Sequence, residues 1–85
     1  MSVGVYLRAA RESAGYSVEQ ISKKTRIREH VIRDLEADSF HSSGGNAYAR
    51  GHIRTIGAAL NADIDELMSE FESMTVVVDR PMIDL

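Results

Sequence analysis

The sequence predicts an all-α fold in which five short helices form one bundle, followed by a short extended or disordered tail. Three observations support this prediction. Apolar residues recur at intervals of three and four, which places them on one stripe of a helix. Residues that cap helices, and glycines that end them, separate these segments. The chain has 85 residues, which is enough for one modest core.

The composition excludes several classes of protein. The sequence contains no cysteine, so it has neither a disulfide framework nor a thiolate metal site. Its first residues, MSVGVYLRAARES, carry charges too early and apolar runs too short for a signal peptide. No stretch approaches the roughly 20 apolar residues of a membrane span. We therefore expect a soluble, cytoplasmic chain, and its small core makes a large active-site cleft unexpected.

The formal net charge of the chain is −3, but the charged residues are distributed unevenly along it. Residues 1–60 carry nine lysines and arginines against six acids, a net charge of +3. Residues 61–85 carry seven acids against one arginine, a net charge of −6. A nucleic-acid contact is therefore expected in the first part of the chain. It should be moderate in strength, since proteins held mainly by phosphate contacts are usually far more basic.

The first helix is predicted from about Val3 to Ala14, and Gly15 should end it because glycine tolerates the left-handed conformation of a helix terminus. The apolar residues on its stripe are Val3, Leu7, Ala10 and Ala14. The polar residues off this stripe, which we expect to lie in solvent, are Arg8, Arg11 and Glu12.

The second helix has the clearest start signal in the sequence. The Ser17 hydroxyl can accept a hydrogen bond from the Gln20 amide while the Gln20 side chain returns to the Ser17 amide, an arrangement called a capping box. Tyr16 precedes the cap and can pack on Ile21. We expect this helix to end at about Lys24.

A tight turn leads into a third short helix. Thr25 and Arg26 form the predicted turn, and Ile27 is the buried residue between the two helices. The third helix is predicted from Arg28 to about Ala37. Its inward residues are Ile32 and Leu35, with Val31 at the margin. Two short helices joined in this way form a helix-turn-helix, whose second helix characteristically enters the major groove of DNA.

The polar face of the third helix is the surface best suited to DNA recognition, because arginine pairs with guanine and histidine can contact a base edge or a phosphate. The candidate recognition residues are Arg28, Glu29, His30 and Arg33. The candidate contacts to the DNA backbone, which flank the turn, are Lys23, Lys24 and Arg26. Two acids on or near the same face, Glu29 and Asp34, would repel phosphates.

A loop and a fourth helix follow. Residues 38–46 are predicted as a loop from their serine, glycine and asparagine content, with Phe40 as its anchor to the core. The fourth helix is predicted from about Ala47 to Leu60. Gly51 within it indicates a close helix contact, because glycine there costs about 1 kcal/mol relative to alanine. The apolar stripe is Ala49, Ile53, Ile56 and Leu60, and the exposed side carries Arg50, His52 and Arg54.

The fifth helix closes the core. Asp63 and Glu66 form a second predicted capping box, and the apolar residues that follow are Ile64, Leu67, Met68 and Phe71. We divide the chain into a helix-turn-helix domain, residues 1–72, and a C-terminal tail, residues 73–85. The run TVVV in this tail favours an extended conformation. The tail is expected to be either flexible or a strand that pairs with a second chain, giving a homodimer.

Four segments of the sequence resemble a known family. They are, in order, LRAARE, YSVEQISKKTRI, LEADSF and YARGHIRTIG. Together they resemble the cytoplasmic N-terminal domain of RodZ proteins, a branch of the Xre or lambda-repressor-like helix-turn-helix group. The resemblance covers about Val3 to Phe71, and YARG at residues 48–51 followed by Arg54 is its most specific mark. The glycines at 44 and 45, where the family often has Leu-Pro, resemble an actinobacterial version.

This resemblance implies a five-helix lambda-repressor-like bundle and a second kind of function. RodZ domains normally precede a membrane helix, so the chain is expected to be the cytoplasmic part of a membrane-anchored protein or a short relative. In the family the domain docks onto the actin-like filament protein MreB through aromatic side chains of its fourth helix. The corresponding docking face here is Tyr48, Arg50, His52 and Ile56. His52 and Ile56 stand where the family usually has tyrosine or phenylalanine.

We therefore predict a non-catalytic DNA-recognition module, and docking to an actin-like cytoskeletal protein is the alternative. A solvated helix face explains Arg28, His30 and Arg33 equally simply. An enzyme is not expected, because the histidines lack metal-ligand spacing and no serine lies in a nucleophile elbow. We expect no cofactor, no metal and no small-molecule substrate.

Overall fold

The computed structural model describes residues 2–40 and 45–79, which form five α-helices and no strand. The helices are α1 (Val3–Ser13), α2 (Val18–Thr25), α3 (Glu29–Glu36), α4 (Asn46–Ala59) and α5 (Ile64–Asp79). The predicted all-α fold and its five helices are confirmed. No helix in the described part of the chain is long and apolar enough to cross a membrane.

All five helices contribute to one hydrophobic core. α4 packs along α5, while α1 packs on α3, and α2 contacts both α3 and α4. Phe40 lies edge-on against Phe71, with ring centroids 5.1 Å apart, so its predicted function as an anchor is confirmed. Burial of such side chains stabilises the fold by about 1.5–3 kcal/mol each. The largest fully buried side chains are Phe71, Leu7, Ile21, Ile32, Leu35, Ile53, Leu67 and Val3.

The predicted helix boundaries depend on local signals that form in the structure. The Gln20 amide donates to Ser17 Oγ over 3.1 Å, and the Ser17 amide donates to Gln20 Oε1 over 2.8 Å. Gly15 follows α1 with a φ of 81°, which a side chain would oppose. At α5 the Glu66 amide donates to Asp63 Oδ1 over 3.1 Å, but the Asp63 amide donates to the Tyr6 hydroxyl over 3.3 Å, so the predicted capping box forms only in part. Sequence alone therefore locates these three boundaries to within a residue or two.

Arg11 was expected in solvent, and the structure corrects this. Its Nε and Nη2 donate to the two carboxylate oxygens of Glu36 over 2.7 and 3.1 Å, and its Nη1 donates to the Tyr16 carbonyl over 2.9 Å. Both side chains are nearly buried, with 11% and 10% exposed. The hydrogen bonds that Arg11 donates to the Glu36 carboxylate raise the pKa of Arg11, against the opposing effect of burial. Arg11 follows Leu7 by one helical turn, which places it at the edge of the buried stripe.

Gly51 does not make the close helix contact that the sequence indicated. A Cβ at this exposed position would meet no atom within 4 Å. The close contacts occur at Gly4 and Gly57 instead. A Cβ on Gly4 would collide with the carbonyl of Glu36, and one on Gly57 would lie 2.7 Å from Leu67 Cδ1. Glycine is therefore required where α1 meets the backbone at the end of α3. At Gly57 the nearest atoms are the ends of the Leu67 and Ile64 side chains, which can shift, so this position marks a close approach of α4 and α5.

The end of α3 is also tied to the start of α1 by Asp38. Asp38 has a φ of 60°, and its Oδ1 accepts a hydrogen bond from the Gly4 amide over 2.7 Å. This amide belongs to the first turn of α1, which has no partner within its own helix. Together with the Arg11–Glu36 pair, this bond holds α3 in a fixed position against α1.

The sequence favoured an extended conformation for the run TVVV, but the structure shows it as helix, and α5 continues through it to Asp79. Two contacts stabilise this extension. Thr75 is buried and its Oγ1 donates to the Phe71 carbonyl over 2.9 Å. The Met74 sulfur accepts a hydrogen bond from the Val3 amide over 3.4 Å. The centre of the predicted loop, residues 41–44, and the rest of the predicted tail, residues 80–85, lie outside the described residues.

Candidate functional site

The turn between α2 and α3 is held in one conformation by its own side chains. Arg26 follows α2 in the left-handed conformation, with φ 63° and ψ 26°, and its amide donates to the Ser22 carbonyl over 2.7 Å. The Ser22 hydroxyl donates to the Ile27 carbonyl over 2.6 Å. Thr25 Oγ1 donates to the Ile21 carbonyl and accepts from the Ile27 amide. The buried Ile27 side chain completes this fixed junction.

The turn presents α3 with its polar face outward. Val31, Ile32 and Leu35 are all buried, and Val31, expected at the margin, is only 8% exposed. Arg28 does not begin the helix, as predicted, but precedes it as the N-cap residue in an extended conformation. No side chain caps α3, so its first amides have no side-chain partner. The exposed N-terminus of α3 therefore adds a partial positive charge to this surface.

Three cations near the turn are exposed and lack an acidic partner among the described residues. They are Lys24, Arg26 and Arg28. His30 is also exposed, on the first turn of α3. Because these residues surround a rigid turn, their backbone positions are fixed relative to one another. This part of the predicted recognition surface is consequently available to an anionic ligand.

The other predicted DNA contacts are engaged within their own helices. Arg33 Nη2 lies 3.0 Å from Glu29 Oε1, and Lys23 Nζ lies 3.6 Å from Glu19 Oε2. Both pairs have i,i+4 spacing and remain largely exposed, so each contributes only about 0.3–0.5 kcal/mol. The sequence pattern places Glu29 and Arg33 on one face of α3 but does not by itself predict that they pair.

The predicted docking face on α4 is only partly available. Tyr48 is 64% exposed, and His52 is half-buried. Arg50 pairs with Glu72 over 3.0 Å, and its guanidinium lies 5.6 Å from the centroid of Phe71. Ile56 is 2% exposed and belongs to the core. Ile56 is thus wrong as a docking residue, because α4 turns its Ala49, Ile53 and Ile56 stripe towards the other helices.

A shallow groove of about 340 Å³ lies beside the Arg11–Glu36 pair. It joins α1 to the outer side of α3, and Arg33 contributes to its wall. The sequence does not predict this groove, because its walls come from three helices and their residues form no recognisable sequence motif. Its lining residues are Arg8, Arg11, Val18, Arg33, Glu36 and Ala37.

Comparison with known proteins assigns the family. A family model described as a helix-turn-helix domain matches residues 6–67, which is more than half of the chain. This chain belongs to that helix-turn-helix family. The family is the one found in RodZ N-terminal regions. No solved structure gives a significant match.

The family match covers the elements described above, from α1 through the first turn of α5. Domains of this helix-turn-helix family are typically non-catalytic binding modules. Whether this helix-turn-helix domain binds nucleic acid or protein therefore depends on its exposed side chains. These are cations at the turn before α3 and an aromatic residue on the outer face of α4.

Proposed function

We propose that this helix-turn-helix domain binds DNA, with the turn before α3 against the phosphate backbone and the outer face of α3 in the major groove. The proposal rests on one observation, the exposed and unpaired state of Lys24, Arg26 and Arg28 within the described chain. Phosphate contacts of this kind position a protein on DNA and supply much of its affinity.

The start of α3 supports the same proposal. Its amides have no side-chain cap, and a helix N-terminus of this kind attracts phosphate oxygens. Arg28 and His30 lie at this end of α3, which is the end that a recognition helix directs at base edges. Arg28 is then the candidate for a bidentate contact to guanine, and His30 for a base edge or phosphate.

The expected affinity is moderate. Few cations are available, and the acids Glu29 and Glu19 neutralise two of the candidates. We further propose that the domain is a RodZ-like variant of actinobacterial type that acts in the cytoplasm. This rests on the four RodZ-like sequence segments and the glycine pair at 44 and 45.

Salt-dependent binding of mixed-sequence duplex DNA tests the proposal. We expect wild-type affinity to fall steeply with salt. The Lys24→Gln, Arg26→Gln variant should bind more weakly, and the slope of log affinity against log salt concentration should be shallower by about 1.8 for two lost phosphate contacts. The matched control is Arg8→Gln, Arg54→Gln, which removes two exposed cations outside the turn. The control should retain the wild-type slope.

Equal losses in both variants would indicate a non-specific charge effect and contradict the proposed site. Absence of wild-type binding at about 50 mM salt, where phosphate contacts are strong, would contradict DNA binding itself.

A second function, docking to an actin-like cytoskeletal protein, is favoured by the exposure of Tyr48 on α4. Large aromatic side chains commonly supply the main energy of protein interfaces. If docking is the function, Tyr48→Ala should reduce co-sedimentation with actin-like filaments and leave DNA binding unchanged. The Lys24→Gln, Arg26→Gln variant should then retain co-sedimentation. Filaments that fail to co-sediment the wild-type domain would exclude this alternative.

A further inference from the structure

Arg33 on the outer face of α3 is held by an acid of its own helix. Its Nη2 lies 3.0 Å from Glu29 Oε1, one helical turn earlier, with 61% of the Arg33 side chain and 40% of the Glu29 side chain exposed. Glu29 occupies the first turn of α3, where the helix dipole favours a negative charge. The negative charge of Glu29 therefore lies at the end of α3 that a phosphate would approach.

We propose that Glu29 competes with DNA phosphates for Arg33 and thereby lowers the affinity and the salt dependence of the site. This inference rests on the proposed DNA-binding function. While the pair is closed, Arg33 and Glu29 contribute no net charge towards the DNA. An exposed i,i+4 pair is weak enough for a phosphate to displace, so the competition is reversible.

The neighbouring cations show why Glu29 is the decisive acid. Lys24, Arg26 and Arg28 have no acidic partner in the described chain, so phosphates meet no competitor there. Lys23 has one, but its 3.6 Å contact to Glu19 is longer, and both side chains are more exposed, at 78% and 64%. Solvent screens that pair more strongly, so Glu19 holds Lys23 less firmly.

The inference predicts an energetic coupling between Glu29 and Arg33 that appears only in DNA binding. Glu29→Gln keeps the size of the side chain and removes its charge, which leaves Arg33 available for one further phosphate. We expect roughly threefold tighter binding at about 100 mM salt, and a log–log salt slope steeper by about 0.9. In an Arg33→Gln background the same Glu29 substitution should change both quantities much less.

A double-mutant cycle on duplex DNA therefore tests the inference, using wild type, Glu29→Gln, Arg33→Gln and the double variant. Glu12→Gln is the matched control. Glu12 also pairs with an arginine at i,i+4 spacing, Arg8 over 3.3 Å, and its substitution changes the net charge equally. The control should leave the salt slope unchanged. Circular dichroism melting of each variant confirms that the fold is retained.

Three outcomes would overturn the inference. Glu29→Gln could increase DNA affinity as much in the Arg33→Gln background as in wild type, or Glu12→Gln could produce the same increase. Either result would show that Glu29 only repels DNA through its charge. An unchanged slope in Glu29→Gln would show that Arg33 never reaches a phosphate. The failure of the proposed function is distinguishable, because wild type would then bind no DNA at low salt.

Discussion

The Arg11–Glu36 ion pair is a residue-scale feature that fixes the end of α3 against α1. Its guanidinium makes a bidentate contact with the carboxylate and also donates to the Tyr16 carbonyl, so both charged groups are compensated away from solvent. Removing one member of such a pair leaves the other charge nearly buried without a partner.

We expect Arg11→Ala to lower the free energy of unfolding by about 3 kcal/mol, which is the cost of an uncompensated buried charge. Arg8→Ala is the matched control, because Arg8 forms an exposed pair with Glu12 on the same helix. The control should cost less than about 1 kcal/mol. Urea denaturation followed by circular dichroism measures both values. Similar losses in the two variants would show that the Arg11–Glu36 pair contributes no more than a surface pair.

The sign of the pH effect follows from the raised pKa of Arg11. A basic group whose folded-state pKa is raised stabilises the fold below its ordinary pKa, and this contribution is lost as the pH rises through the folded-state value. For arginine that range is strongly alkaline. The guanidinium therefore stays charged at every pH used for binding measurements, and Arg11 adds no pH dependence there.

Arg26 illustrates a local cost in the proposed site. A non-glycine residue in the left-handed conformation costs on the order of 1 kcal/mol, and glycine is the usual residue at such a helix end. Arg26 has this conformation and also an exposed charge beside α3. The sequence predicts the turn at this position, and a residue suited to phosphate contact occupies it in place of the least strained one.

At the scale of the helices, glycine positions distinguish close packing from open surface. Gly4, in the first turn of α1, lies directly against the Glu36 carbonyl, whereas Gly51 lies on the outer side of α4 with open space around it. The sequence pattern could not separate these cases, because both glycines lie inside amphipathic segments. The difference depends on which helices meet, and that is set by contacts between residues far apart in the chain.

The same substitution should therefore have opposite effects at the two glycines. Gly4→Ala should destabilise the domain by more than about 2 kcal/mol, because a backbone carbonyl obstructs the new methyl group. Gly51→Ala should stabilise it by about 0.8–1.0 kcal/mol through helix propensity alone. Thermal melting of the two variants checks this comparison. A loss of stability in Gly51→Ala would show that an unseen contact covers the outer face of α4.

The helices also show how far sequence reasoning extends. The end of α1 and the starts of α2 and α5 follow from residues within a few positions of each boundary, such as Gly15, Ser17 and Asp63. The capping box at Ser17 forms completely, whereas the box at Asp63 forms only in part. The extended run predicted for TVVV was wrong for the opposite reason. Its β propensity is outweighed by the contact of Met74 with α1 and by the burial of Thr75, which no local pattern reveals.

At the scale of the whole molecule, the basic and acidic parts of the sequence form different helices of the bundle. The basic first part of the chain contains α2 and α3, and the acidic last part contains α5. α5 packs mainly on α4 and α1, while α2 and α3 pack on each other and on those same helices. The sequence could predict the two charged regions. Which cations remain available beside the turn depends on the individual ion pairs of Arg33 and Lys23, and the sequence did not predict these pairs.

The C-terminal limit of the domain lies within α5 and can be tested by shortening the chain. The sequence divided the chain at residues 72 and 73, and this division stays a prediction although α5 crosses it. Met74 and Thr75 contact α1 and the preceding turn of α5. A chain that ends at Ser73 loses these contacts and should melt at least about 4 °C lower, which corresponds to about 1 kcal/mol for a domain of this size.

A chain that ends at Asp79 is the matched control, because it keeps every contact of the described part of α5. Its melting temperature should stay within about 2 °C of the full chain, since it loses no described contact. If the chain ending at Ser73 melts with the full chain, the helical extension adds nothing to the core and the boundary at residues 72 and 73 is correct. If both shortened chains melt early, residues 80–85 themselves contribute to the stability of the bundle.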